Sequence, residues 1–172
     1  VARRCADGGF DGVEIQCSQA SILRAFLAPG TNRRTDRSGG DPTGRARLLL
    51  EVVAAVRSVL GHEYIVGVRL SGYDGTAGGI GIDDAVQVAR MLDATDAVDY
   101  LSTSVGVATE TLHLVEAPMS TPHGYSLFVP AAFREAVSLP VVGVGRFTTP
   151  GQVRSALAEG VCDLVGAVRA QI

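Results

Sequence analysis

Residues 139–169 constrain the fold of this chain more than any other stretch. The apolar run at 140–144 is short and rich in β-branched residues, as a strand buried in a parallel sheet requires. Thr149 and Gln152 then form the pattern of a capping box, which predicts the start of a helix. A second apolar run at 163–168 follows that helix. The order strand, helix, strand predicts one βαβ unit of a parallel sheet.

The same alternation runs through the rest of the chain. Helices are predicted from apolar residues with helical spacing, for example at 45–60, where Gly61 marks the end. Strands are predicted at 12–15, 65–70, 99–103, 140–144 and 163–168. This alternation predicts the α/β class with a parallel sheet and is typical of a (β/α)8 barrel. Since such a barrel takes roughly 250 residues, we expect five strands to form only part of one.

A glycine and an arginine lie at the end of each of the last two predicted strands. Gly145 and Arg146 come after the first, and Gly166 and Arg169 come at the end of the second. Glycine lets a backbone N–H approach an anion closely, and arginine offers a fork of donors for phosphate oxygens. The pattern predicts a site for a phosphate-bearing cofactor or substrate. Alternatively, the glycines serve tight turns and the arginines lie at the surface.

Other polar residues fall where strands meet the same edge of the sheet. Gln16 and Gln19 lie at a strand-to-helix junction, where they are either functional or cap exposed backbone. Arg69 lies inside an apolar strand and is expected either to face a polar cavity or to pair with an acid such as Glu14. His123 lies in a long loop on this edge, and proton transfer is one hypothesis for it.

Two long connections are predicted at this edge. The segment 71–81 contains five glycines and predicts a flexible loop, and 104–125 predicts a second long loop. Asp83 is the predicted N-cap of the helix that follows the glycine-rich segment.

Composition narrows the class of protein. The chain has 172 residues, 47% of them hydrophobic and 19% charged, which indicates a globular domain. A net charge of −3 gives no general attraction to nucleic acid or to an anionic membrane. The chain has three widely spaced cysteines, Cys5, Cys17 and Cys162, so neither a disulfide framework nor a metal site is predicted. Because disulfides are rare in reducing compartments, we expect a cytoplasmic location. The chain begins with Val1 in a helix-like segment, and we expect a piece of a longer protein.

Several motifs in chain order carry a resemblance to a known family. They are Gly-Phe-Asp-Gly-Val-Glu-Ile at 9–15, Thr-Asn-Arg-Arg-Thr-Asp at 31–36 with Gly-Gly at 39–40, Val-Gly-Val-Arg-Leu-Ser at 66–71, Pro-Val-Val-Gly-Val-Gly-Arg at 140–146 and Asp-Leu-Val-Gly at 163–166. Together they resemble the Old Yellow Enzyme family of FMN-dependent oxidoreductases, especially the branch of 2,4-dienoyl-CoA reductase and NADH:flavin oxidoreductases. The resemblance covers essentially the whole chain.

The resemblance implies that residues 1–172 are a partial FMN-binding TIM barrel, comprising strands four to eight and so about the last five βα units. It implies an enzyme that takes hydride from NADH or NADPH onto FMN and passes it to an activated alkene such as an enone or dienoyl-CoA. The partner is then a small-molecule substrate, and a homo-oligomer is compatible with the pattern. The implied cofactor-binding residues are Arg69, Gly143, Gly145, Arg146, Gly166 and Arg169.

The substrate-binding positions depart from the family pattern. Gln16 and Gln19 align with a His-His or His-Asn pair, and Ser21 stands where the family usually has tyrosine. A glutamine amide can donate a hydrogen bond to a substrate carbonyl but carries no positive charge, so we expect weaker oxyanion stabilisation. Two alternatives stay open: a flavin-binding barrel without ene-reductase activity, and an amine or N-methyl dehydrogenase. We also expect the 172-residue stretch alone to bind FMN poorly.

Overall fold

The computed structural model of the protein describes residues 1–168, which form a five-stranded parallel sheet with helices. The strands are β1 (Gly12–Cys17), β2 (Ile65–Tyr73), β3 (Tyr100–Val105), β4 (Val141–Gly143) and β5 (Leu164–Val165). The helices are α1 (Ala2–Asp7), α2 (Ile22–Leu27), α3 (Pro42–Leu60), α4 (Ile82–Asp93), α5 (Leu112–Val115), α6 (Phe128–Ala136) and α7 (Pro150–Ala158). The strands lie in chain order, and every adjacent pair is parallel. The predicted α/β class and parallel sheet are confirmed.

Several local predictions need correction. The segment 104–125 is not a continuous loop, because it contains the short helix α5. Helix α4 begins after Gly81, and Asp83 lies within its first turn instead of capping it. Strand β5 is shorter than the predicted 163–168. The capping box of α7 is confirmed: the Thr149 hydroxyl accepts from the Gln152 N–H, and the Gln152 side chain accepts from the Thr149 N–H.

The two faces of the sheet differ in chemistry. Val68 and Leu70 of β2 are fully buried in one hydrophobic core with Leu49 of α3 and Leu92 of α4. Since side chains alternate along a strand, Arg69 points to the opposite face. Apolar residues thus face the helices, and polar groups face the side that would line a barrel interior.

Two rows of side chains cross this interior face. Gln16 pairs in register with Arg69, and Arg69 with Ser102, so these three form one row across β1, β2 and β3. The row nearer the amino ends contains Glu14, Gly67 and Tyr100.

In that second row, the Tyr100 ring lies across β2, and a Cβ at Gly67 would overlap it. The Tyr100 hydroxyl donates a hydrogen bond to Glu14 Oε2 at 3.0 Å. Burial, and then the nearby Glu14 charge, raise the pKa of Tyr100 to about 12.

The glycine-rich loop after β2 is anchored by a buried carboxylate. Asp74 is 0% exposed, and its Oδ2 accepts from Arg24 Nε at 3.0 Å, Arg24 Nη2 at 2.5 Å and the Ile80 N–H at 2.6 Å. Its Oδ1 accepts from the Ser71 hydroxyl at 2.8 Å. The loop that the sequence predicted to be flexible is therefore tied to α2 and to its own strand.

A second buried arginine organises the amino edge of the sheet. Arg57 of α3 donates to the carbonyl of Ala97 at 3.1 Å and to Asp99 Oδ2 at 2.6 Å. Asp99 also accepts from the Val66 N–H at 2.6 Å. This pair joins α3 to β2 and β3 at the edge opposite the predicted site.

Candidate active site

Residues of three parallel strands, or of the turn after them, lie towards the carboxyl edge of the sheet. Gln16 is near the end of β1, Arg69 lies within β2, and Gly145 and Arg146 follow β4. The carboxyl ends of parallel strands meet at one edge, which is where ligands bind in open α/β sheets and barrels.

Arg69 is the clearest sign that this face meets a ligand. Its Nε is buried and has no hydrogen-bond partner within residues 1–168. The expected alternative, a pair with Glu14, is absent from the ion pairs of the described chain, and Glu14 accepts from Tyr100 instead. A buried guanidinium N–H without an acceptor is costly, so an acceptor atom from a bound group fits here.

The two glutamines occupy different backbone environments. Gln16 is exposed, and its Oε1 accepts from the Ser18 hydroxyl at 3.0 Å, so its amide nitrogen faces away from Ser18. Gln19 has a φ of 55°, in the left-handed region that non-glycine residues rarely adopt. The cap of α2 is Ser21, whose hydroxyl accepts from the Arg24 N–H at 3.2 Å. The glutamines are therefore not needed as caps of this helix.

The turn after β4 has the features of an anion site. Arg146 has a φ of 56°, and no carboxylate within residues 1–168 pairs with its guanidinium. Gly145 is buried, and a Cβ there would lie 3.2 Å from Leu127 Cδ2. A guanidinium with no carboxylate partner among residues 1–168, beside a close-packed glycine, suits the recognition of a phosphate group.

Two of the predicted glycines have packing reasons of their own. A Cβ at Gly143 would lie 2.9 Å from Cys162 Sγ, and one at Gly166 would lie 2.9 Å from Val144 Cγ1. The Gly166 N–H donates to the Gly143 carbonyl at 2.9 Å and so ties the ends of β4 and β5 together. Contact of either glycine with a cofactor stays a prediction, and Arg169 lies outside the described residues.

His123 lies against the predicted phosphate turn. Its Nδ1 is 2.9 Å from the Arg146 carbonyl oxygen and 3.1 Å from Arg146 Nη1. Sequence reasoning assigned this histidine only a hypothetical proton-transfer role and missed Ser126 and Asp74. No local pattern could have found these residues, because Arg24, the ion-pair partner of Asp74, lies 50 residues away and the Val144 carbonyl that Ser126 binds lies 18 residues away.

The fold defines a class: consecutive βα units of a (β/α)8 barrel, with a candidate anion site at the carboxyl edge of the sheet. Among known families, the model of the NADH:flavin oxidoreductase / NADH oxidase family matches residues 1–172. The chain belongs to this family, whose cofactor is FMN and whose reductant is NAD(P)H. The predicted membership in the Old Yellow Enzyme family is confirmed, as is the predicted barrel architecture.

Individual relatives catalyse different reactions. The chain is 36% identical to an N,N-dimethylglycine/sarcosine dehydrogenase of Chromohalobacter salexigens, over 99% of the chain and 25% of that protein. It is 32% identical to a multifunctional alkene reductase/demethylase of Caballeronia cordobensis, over 100% of the chain and 25% of that protein. The structure of histamine dehydrogenase from Rhizobium sp. 4-9 matches with a TM-score of 0.87 and 30% identity, over 98% of the chain and 24% of that protein. The chain thus spans about a quarter of the length of these relatives.

Within the described part of the chain, no helix is long and apolar enough to cross a membrane. In the same residues, no three His, Cys, Asp or Glu side chains are grouped as a metal site would need.

Proposed function

We propose that the protein is an FMN-dependent NAD(P)H:acceptor oxidoreductase that reduces activated alkenes such as enones or dienoyl-CoA thioesters. The observation that carries this proposal is the buried Nε of Arg69, which has no hydrogen-bond partner in the described part of the chain and lies in the same row as Gln16. FMN, when bound, supplies the capacity to accept a hydride and to pass it on. The residues that would hold it are Arg69, Gly143, Gly145, Arg146, Gly166 and Arg169.

Each group of residues has a separate task in this proposal. Arg69 would supply a fixed positive charge to a bound flavin and so would stabilise negative charge on its reduced form. Arg146 and Gly145 hold the phosphate. Gln16 donates from its amide nitrogen to the carbonyl oxygen of the acceptor, because its own oxygen is already occupied by Ser18. Gln19, on the neighbouring turn, supplies a second donor.

The test is an anaerobic two-step reaction of the protein expressed from its complete reading frame. NADH or NADPH should bleach the flavin absorbance, and an enone should then restore it. Gln16→Ala should slow only the second step, whereas Gln87→Ala, an exposed glutamine on α4, should slow neither. A flavin that bleaches but is not reoxidised by any enone would contradict alkene reduction. A flavin that does not bleach would support a flavin-binding barrel without this activity.

A second candidate function is the oxidation of secondary or N-methyl amines. The observation that favours it is the neutral pair Gln16 and Gln19, which suits an uncharged amine better than a developing oxyanion. The similarity to a dimethylglycine/sarcosine dehydrogenase supports it. Bleaching of the flavin by sarcosine or dimethylglycine without a nucleotide would select this function over alkene reduction. A cytoplasmic location and a homo-oligomeric assembly stay predictions.

A further inference from the structure

Three successive carbonyl groups of the phosphate turn are held by one short segment. The carbonyl of Val144 accepts from the Ser126 hydroxyl at 2.7 Å, and that of Gly145 accepts from the Gly124 N–H at 2.7 Å. The carbonyl of Arg146 accepts from His123 Nδ1 at 2.9 Å. We call residues 123–126 the backing segment, since all three donors belong to it.

The backing segment also decides where the N–H groups of the turn point. In a trans peptide the C=O and N–H bonds point in opposite directions. Because the carbonyls of residues 144–146 face the backing segment, the N–H groups of Gly145, Arg146 and Phe147 face away from it. Within residues 1–168 these three N–H groups have no acceptor. Successive unpaired N–H groups form the kind of concave nest that binds anions.

His123 contacts Arg146 at both its backbone and its side chain. A carbonyl oxygen can only accept, so Nδ1 of His123 must carry the hydrogen in this bond. Arg146 Nη1 lies 3.1 Å from Nδ1 and 3.4 Å from Nε2, so the guanidinium rests against the ring. The left-handed backbone of Arg146 is unfavourable for a residue with a Cβ, and the contacts from His123 hold it in place.

We infer that the backing segment is a positioning element for phosphate, in which His123 and Ser126 orient the turn without touching the ligand. The inference rests on the proposed function, because it takes the phosphate of FMN as the group bound in the nest. His123 fixes the peptide that carries the Phe147 N–H, and Ser126 fixes the one that carries the Gly145 N–H. Loss of either donor frees a peptide plane to rotate and removes one N–H from the anion site.

The experiment compares FMN with riboflavin, which lacks the phosphate. Binding to the apoprotein, expressed from its complete reading frame, is measured by the quenching of flavin fluorescence. His123→Ala should weaken FMN binding about three- to tenfold, the loss expected for one neutral hydrogen bond, and leave riboflavin binding unchanged. His123→Asn should restore most of the affinity, because its amide N–H can donate to the same carbonyl. The matched control is His113→Ala, an exposed histidine of α5, which should change neither affinity.

Four results would overturn or separate the proposals. Equal losses for FMN and riboflavin would show a general structural role for His123 and overturn the inference, as would no loss at all. If the wild type binds no flavin, titration with inorganic phosphate followed by 31P NMR decides the outcome. Phosphate binding that His123→Ala weakens would keep the inference while the proposed function fails. No binding of phosphate by the wild type would overturn both.

Discussion

Replacing Asp74 by asparagine should destabilise the protein severely, because it removes the charge and keeps the shape. Asp74 is 0% exposed and Arg24 is 6% exposed, so neither charge has ready access to water. The asparagine oxygen can still accept from Arg24 and from the Ile80 N–H, and its nitrogen can donate to the Ser71 hydroxyl. Asp74→Asn therefore isolates the effect of leaving a guanidinium buried without a counter-charge.

The magnitude follows from the burial of the pair. Removing one partner of a buried ion pair costs about 3–5 kcal/mol, since the remaining charge keeps its desolvation penalty. A domain of this size loses about 2–4 °C in Tm for each kcal/mol, so Tm should fall by about 6–20 °C. The total free energy of unfolding of such a domain is about 5–15 kcal/mol, so Asp74→Asn removes a large share of it.

The assay is urea unfolding at neutral pH, with Asp84→Asn as the matched control. Asp84 also pairs with a buried arginine, Arg45, but its side chain is 29% exposed. Arg45 in addition donates to the carbonyls of Leu27 and Gly40, at 2.7 Å in each case. The control should therefore cost only about 1 kcal/mol. Equal losses in the two variants, or a loss below about 1 kcal/mol for Asp74→Asn, would refute the role given to burial.

Three further predictions concern other parts of the molecule. Arg146→Gly keeps the left-handed turn and removes the guanidinium, so FMN affinity measured by fluorescence should fall about ten- to a hundredfold. An unchanged affinity would exclude a contact between Arg146 and the phosphate of FMN. Burial disfavours the charged form of Asp99, but hydrogen bonds from the Val66 N–H and Arg57 outweigh this effect and lower the pKa of the carboxyl group. The charged Asp99 should therefore stabilise the fold at neutral pH, and this stabilisation should disappear as the pH falls through the lowered pKa. In thermal unfolding at a series of pH values, Asp99→Asn should lose less stability on acidification than the wild type does. Burial, and then the charge of Asp74, raise the pKa of Cys17 to about 12, so this thiol should react with Ellman's reagent only after unfolding. Because Cys5 is partly exposed, the assay uses a Cys5→Ser variant, and labelling of Cys17 in the native state would contradict the prediction.

Features that depend on neighbouring residues could be predicted from the sequence. The capping box of Thr149 and Gln152 is present with both hydrogen bonds, because its partners lie three residues apart. The strands of the sheet could be predicted from short apolar runs, because the face of a strand that packs against helices must be apolar. The end of α7 is likewise marked by Gly160, whose φ of 69° suits glycine.

Features that depend on distant contacts could not be predicted in this way. Asp74 and Arg24 are separated by 50 residues, and His123 and Arg146 by 23. Periodicity and capping patterns contain no information on such pairs. The structural role of Asp74 could therefore not be predicted, since composition alone indicates that its segment is flexible. The backing segment was missed for the same reason: only the folded chain brings it beside Arg146.

The Tyr100 side chain crosses β2 and joins Glu14 to Tyr100, two residues that are distant in the chain. No residue other than glycine fits at position 67 while the Tyr100 ring lies over it on the way to Glu14. A larger residue at 67 would therefore demand a smaller one at 100, and Glu14 would then lose its hydroxyl donor. In an evolutionary record of this barrel we expect positions 14, 67 and 100 to change together. The covariation should appear even though β2 separates the two side chains that touch.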